Sequence, residues 1–205
     1  MLLFAHTGIT LGVTRLSCKA IARARFNTAK RKPSIPANPT DCFAENSSRT
    51  GSFATWIDYR LILLGSMLPD IIDKPLGIWF LRDILSNGRV FSHTLLFAVL
   101  LAAAGMYLYV SRRSAGLLCL SFGSIAHLYL DKMWLNPRTI FWPLYGWSFG
   151  KIDVSHWLER VLTSLGNDPD VYIPETIGAL LLSVFLLSLI RQGKLHSFVR
   201  TGKVD

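Results

Sequence analysis

Apolar residues run almost unbroken through residues 1–16, 91–110, 115–130 and 172–190, with a weaker run over 55–72, and polar residues gather between these blocks. Two of the blocks reach the ~20 residues that a bilayer helix needs. The pattern predicts an all-α polytopic integral membrane helix bundle of about five spans, at 1–16, 55–72, 91–110, 115–131 and 172–190. Residues 1–205 are read as a single membrane-embedded domain, with 17–54 as a basic, flexible cytoplasmic loop within it. Residues 136–150, "NPRTIFWPLYGWSFG", are too rich in Pro, Gly and aromatic side chains to span and predict an interfacial loop.

Composition agrees with this pattern. The chain is 51% hydrophobic and 17% charged, and its mean hydropathy of +0.36 is lowered by one long polar segment. Soluble domains are rarely so apolar. The start lacks the positive flank and small-residue cleavage site of a signal peptide, so residues 1–16 are expected to be a retained helix. Cys18, Cys42 and Cys119 are scattered and show no paired spacing, which argues against a disulfide framework or a thiolate metal site.

The net charge of +9 suggests a nucleic-acid partner until its distribution is considered. Seven of the 22 basic residues fall between Lys19 and Arg49, and no acid precedes Asp41. That segment reads as a cytoplasmic loop held by positive-inside bias, resting on anionic lipid; an organellar presequence and a nucleic-acid tail are the weaker readings. With the N-terminus outside, five spans put fifteen Lys and Arg inside and seven outside. The spans at 1–16 and 55–72 are short for a ~30 Å hydrocarbon core, and Asp58 and Arg60 would have to snorkel to the inner surface. Trp79, Trp134, Trp142, Trp147 and Trp157 all fall on the proposed outer side, where indoles favour the headgroup level, and Trp56 on the inner.

Only basic residues orient these spans, yet His6, Asp70, Asp73, His93, His127 and Asp131 all fall near their outer ends. Ionisable groups at membrane depth are costly unless they are paired, hydrated or bound to an ion. His127 and Asp131, four residues apart, share a helix face. Together the six would offer mixed nitrogen and oxygen ligands, a set suited to a divalent ion: zinc first, then manganese or iron. Such an ion lowers the pKa of its water and polarises a phosphoryl or carbonyl oxygen, which points to hydrolysis. Asp73 is then the candidate base, and Arg89 and Arg138 are candidate clamps for an anionic substrate.

Each residue also has a plainer reading. His127 with Asp131 suits a buried hydrogen-bonded pair, Asp70 a turn former after a proline, Asp73 a solvated partner of Lys74, and His6 an interfacial side chain. Ser92 reads as the N-cap of the third span, placing His93 in its first turn. His156 and Glu159, three apart in an amphipathic outer segment, are weak candidates, and His196 weaker still. Gly8 and Gly12 form a small-residue face for close helix packing.

In order, an early histidine, "GSMLPDIIDKP", "RVFSHTLL" and "AHLYLDKMW" followed by "FWPLYGW" resemble the membrane-bound metal-dependent hydrolases known in bacteria as LexA-binding, inner-membrane-associated hydrolases. The resemblance covers most of residues 1–150 apart from the basic loop, and it implicates His6, Asp70, Asp73, His93, His127 and Asp131. Where such proteins carry a His-Arg pair ahead of the Thr-His-Ser element, this chain has Gly88 before Arg89, a departure that bears on whether a second ion binds. The His-x-x-x-Asp element is similar to one in zinc-dependent phospholipase C and single-strand nucleases, which implies phosphoester chemistry. The resulting expectation is a bacterial inner-membrane hydrolase with its site on the outer face, acting on an anionic or lipid-like phosphoester, with membrane lipid as partner and no nucleic acid. A non-enzymatic protein that binds or passes metal ions or protons is the rival, and an anchor whose basic loop docks a cytoplasmic partner is a third reading.

Overall fold

The computed structural model describes residues 3–31, 56–151 and 156–204, and all regular structure among the described residues is helical. α1 is Leu3–Arg31 and α2 is Tyr59–Lys74, the latter continued by a wider π-helical turn over Pro75–Phe80. A short α3 (Arg82–Leu85) precedes α4 (Leu95–Arg112) and α5 (Gly116–Leu130). A 3₁₀ turn at Met133–Leu135, α6 (Pro137–Ile140), α7 (Trp157–Asn167), α8 (Pro169–Arg191) and α9 (Leu195–Thr201) complete the chain.

Several expected boundaries move. The first helix does not stop at residue 16: it continues through the basic residues to Arg31, roughly 44 Å at helical rise. Residues 17–31 of the expected flexible loop are therefore helical, because Ala, Lys and Arg favour helix and no Gly or Pro interrupts them. The rest of that loop, including Cys42, lies outside the described residues. Among the described residues two helices, α4 and α8, are long and apolar enough to cross a membrane, against the five spans expected. α5 is apolar but has only 15 residues, about 22 Å.

Thr94, not Ser92, caps α4: Thr94 Oγ1 accepts from Phe97 N–H at 3.1 Å, while Ser92 Oγ donates to the Pro69 carbonyl at 2.9 Å. His93 thus precedes α4 instead of lying in its first turn. Asp58 and Arg60, expected to snorkel to the inner surface, pair with each other at 2.8 Å, and Asp58 caps α2 by accepting from Arg60 N–H. The chain's last helix docks on this pair, with Arg60 Nη1 donating to the Val199 carbonyl and Tyr59 N–H to that of Gly202.

Two glycine crossings set the bundle. A Cβ at Gly8 would strike the backbone of Gly178, and one at Gly178 the Phe4 carbonyl, so α1 and α8 touch backbone to backbone. Gly12 follows on the same face, against Leu181. Likewise Gly65 meets the Leu120 backbone and Gly123 meets that of Ile62, Gly65 and Ser66, which locks α2 to α5. The matched order of these contacts makes α1 parallel to α8 and α2 parallel to α5. Gly105 beside Leu118, and Ala98 clustered with Leu128, make α4 antiparallel to α5. At one end Leu11, Phe185 and Leu189 form a core joined by Tyr59, Leu63 and Phe198. The polar residues singled out on sequence collect towards the other.

Candidate metal centre

The centre begins with Pro69. Inside α2 it has no N–H to give to the Gly65 carbonyl, and its ring pushes that turn open. Ser124 Oγ lies 3.1 Å from the freed Gly65 carbonyl and equally far from the Leu120 carbonyl, and its one proton serves both. One residue on, the Ser66 carbonyl accepts from His127 Nδ1 at 2.7 Å. A carbonyl can only accept, so His127 carries its proton on Nδ1 and directs a lone pair from Nε2.

His93 is held the same way from a different side. Its Nδ1 lies 2.8 Å from Asp73 Oδ2, whose carboxylate also accepts from Val90 N–H (2.7 Å), Ser92 N–H (3.1 Å) and His93 N–H (3.2 Å). Asp73 is fully buried and its oxygens are spent on this segment. The two Nε2 atoms of His93 and His127 then stand 3.2 Å apart. Two lone pairs at that distance repel unless a proton or a cation serves both. Two nitrogens bound tetrahedrally at zinc distances are about 3.3 Å apart, close to the spacing found.

Asp70 Oδ1 lies 3.6 Å from His93 Nε2 and 3.8 Å from His127 Nε2. Its other oxygen accepts from Lys74 Nζ at 2.6 Å. Asp131, just past the end of α5, divides its oxygens similarly: Oδ2 pairs with Arg89 Nη2 at 2.7 Å, and Oδ1 lies 3.2 Å from His6 Nε2. His6 stacks on His127 with ring centroids 4.0 Å apart, and neither of its buried nitrogens has a hydrogen bond of good geometry. Buried ring nitrogens are seldom left so.

Two donor groups emerge, Asp70 with His93 and His127, and His6 with His127 and Asp131, each with ligand atoms within 4.8 Å of one another. They share His127, whose Nδ1 is committed to Ser66, so a single lone pair serves both groups. The arrangement fits one ion and not two. Three buried carboxylates face two cations here, leaving a negative excess that a divalent ion would offset. The facing Nε2 atoms of His93 and His127 are what a metal would satisfy.

The sequence profile of the YdjM inner membrane protein family matches residues 4–198. The chain belongs to that family. The matched span holds all of the donors just described, and the two long apolar helices agree with an inner-membrane protein. No curated protein matches the chain. No solved structure does so either.

In this YdjM-family chain the structure therefore brings together His6, Asp70, His93, His127 and Asp131, and sets Asp73 behind His93. Arg89 stands at the rim, 42% exposed, on Asp131. Arg138, on α6, is exposed, and no hydrogen bond or ion pair joins it to the cluster. His156 pairs with Glu159 at 3.3 Å on the surface, away from the cluster, and exposed His196 lies on α9 at the opposite end.

Two participants were missed on sequence, and a third, Lys74, was read with the wrong aspartate. Lys74 pairs with Asp70 and not with Asp73, as its i,i+4 spacing would have indicated. The Ser66 carbonyl orients His127, and its signal was the proline three residues on. Glu175, a buried acid within the apolar α8, accepts from Phe4 N–H at 2.9 Å and so ties the start of α1 to α8. An acid inside such a helix is itself a signal.

Proposed function

We propose that this protein is a membrane-bound metal-dependent hydrolase, holding one divalent ion at the His/Asp cluster and acting on a phosphoester of a lipid-like, anionic substrate. The observation that carries the reading is the pair of Nε2 atoms 3.2 Å apart, each aimed at the other by a partner on Nδ1. In this reading all five long helices cross the inner membrane, with the cluster near the outer surface. Alternating helix directions and the inward bias of basic residues support it.

A bound divalent ion, zinc first and manganese or iron next, supplies Lewis-acid polarisation and acidifies water. The chain's residues supply the rest. His93, His127 and Asp70 hold the ion, and Asp131 lies next to them. The His6–Asp131 pair is the open proton acceptor at His6 Nε2, whereas Asp73, assigned as base and ligand on sequence, positions His93. Arg89 and Lys74, half-exposed at the mouth, receive the anionic part of the substrate. Arg138 has no place in this arrangement.

Passage of ions across the membrane is less well supported. No charged side chain occurs in α1 between His6 and Arg15, in α2 between Arg60 and Asp70, or in α5 before His127. Below the cluster the buried polar side chains of these helices are hydroxyls and one thiol.

The test is elemental analysis of detergent-purified protein, wild type beside His93→Ala and His127→Ala, followed by phosphate release from phosphoesters presented in micelles. Near-stoichiometric metal in the wild type, lost from both folded variants, together with metal-dependent release, is expected. Equal and negligible metal in all three, after reloading with zinc and manganese, would leave the cluster a purely structural polar network.

A further inference from the structure

α7 has no buried residue, yet Leu158, Leu162 and Leu165 recur at i, i+4 and i+7 along one side of it, 61%, 61% and 40% exposed. Glu159, Thr163 and Asn167 lie on the opposite side, and Trp157 and Val161, between the two, are half-buried. Among the described residues no protein lies against this apolar face. A helix of this kind settles in the plane of a membrane surface, its apolar face sunk to the acyl boundary.

Its attachment selects that occupant. α7 ends at Asn167, Asp168 caps the next helix by accepting from Asp170 N–H, and α8 begins at Pro169. One residue thus joins an amphipathic helix to the longest apolar helix of the chain. Once α8 crosses the bilayer, α7 is held at the surface where α8 enters. The same end of the bundle carries Leu144, Tyr145 and Trp147, at 85%, 64% and 80% exposure, in the turn whose stacked Trp142 and Phe149 meet Phe91 edge to face and which is pinned by Asn87 donating to the Gly150 carbonyl. Exposed aromatic rings at the end of a spanning bundle suit the headgroup layer.

We infer that α7 is an in-plane membrane anchor that sets the depth of the His/Asp cluster in the outer part of the bilayer. The depth follows from the helix register. Gly8 meets Gly178, so His6 is level with about residue 176, seven residues into α8, or roughly 10 Å below the surface where α7 lies. The cluster would then face the glycerol and phosphate depth of lipids, so an amphiphile could present its phosphate there without leaving the membrane. The placement of α7 stands apart from the chemistry of the site and is tested without it.

Single nitroxides are placed at Leu162→Cys and Thr163→Cys in a chain whose native cysteines are replaced by serine, reconstituted in phosphatidylethanolamine and phosphatidylglycerol vesicles. Collision with oxygen, which partitions into lipid, should exceed collision with a water-soluble nickel complex several-fold at 162, and the ratio should invert at 163. Strong nickel collision at 162 overturns the anchor and stands α7 in solvent. Shielding from both reagents overturns it in favour of a protein partner or a second copy. Should Cys119→Ser, at a buried site, prevent folding, p-benzoylphenylalanine at 162 in the natural chain serves instead: crosslinking to lipid supports the anchor, and crosslinking to protein alone defeats it.

Discussion

Asp73→Asn separates a residue that positions the centre from one that binds at it. The natural carboxylate collects four N–H donors, all of which reach Oδ2, with Ser92 N–H shared between Oδ1 at 3.1 Å and Oδ2 at 3.2 Å. In its best orientation asparagine keeps its oxygen in the Oδ2 position and turns its own N–H₂ towards Ser92 N–H. That faces two buried donors, leaving Ser92 N–H only its longer bond to the remaining oxygen, at about 1–3 kcal/mol, and weakens three charge-assisted bonds to neutral ones, at about 1 kcal/mol each before non-additivity. A loss of about 3–5 kcal/mol is expected, or roughly 10 °C in Tm for a chain of this size. His93 would also exchange a carboxylate for a neutral acceptor on Nδ1, which lowers its basicity as a ligand, and such changes weaken metal binding by about 10–100-fold. The assay is thermal unfolding by intrinsic fluorescence, paired with zinc competition against a chromogenic chelator. A lowered Tm with unchanged zinc affinity would refute the positioning role and leave Asp73 a fastener of the 90–93 segment. If neither changed, the burial and bonding described for Asp73 would be wrong.

Ser124→Ala strips the Gly65 carbonyl of its only side-chain donor beside Pro69, and should cost about 1–3 kcal/mol, read as a fall in Tm of several degrees. Arg89→Gln removes a half-exposed ion pair; stability should move by about 1 kcal/mol or less and metal content should hold, while turnover of an anionic substrate falls roughly 10–100-fold in steady-state assays. Gly178→Ala drives a Cβ into the Phe4 carbonyl, which neither helix can yield without parting. It should abolish the monodisperse peak in size-exclusion chromatography, and a normal peak would count against backbone contact at that crossing.

The apolar blocks determined that the chain is helical and where its long helices lie, because lipid-facing and core-facing turns need the same residues whatever their partners. The positions of the unusual residues within those blocks also determined that His6, Asp70, Asp73, His93, His127 and Asp131 belong at one end, since direction alternates from helix to helix. Helix ends were less legible: α1 runs on through basic residues that patterning treats as loop, and two hydroxyl residues either side of His93, Ser92 and Thr94, compete for one cap. Division of labour within the site was settled by contacts across the bundle alone. Asp70 and Asp73, three residues apart on one helix, are the same side chain on sequence. The turn Val90–His93 folds over Asp73 and consumes it, while the glycine crossing of α2 on α5 presents Asp70 to two imidazoles. Which carboxylate remains open to an ion depends on what packs beside it, and residues 17 to 61 positions apart in the chain decide that.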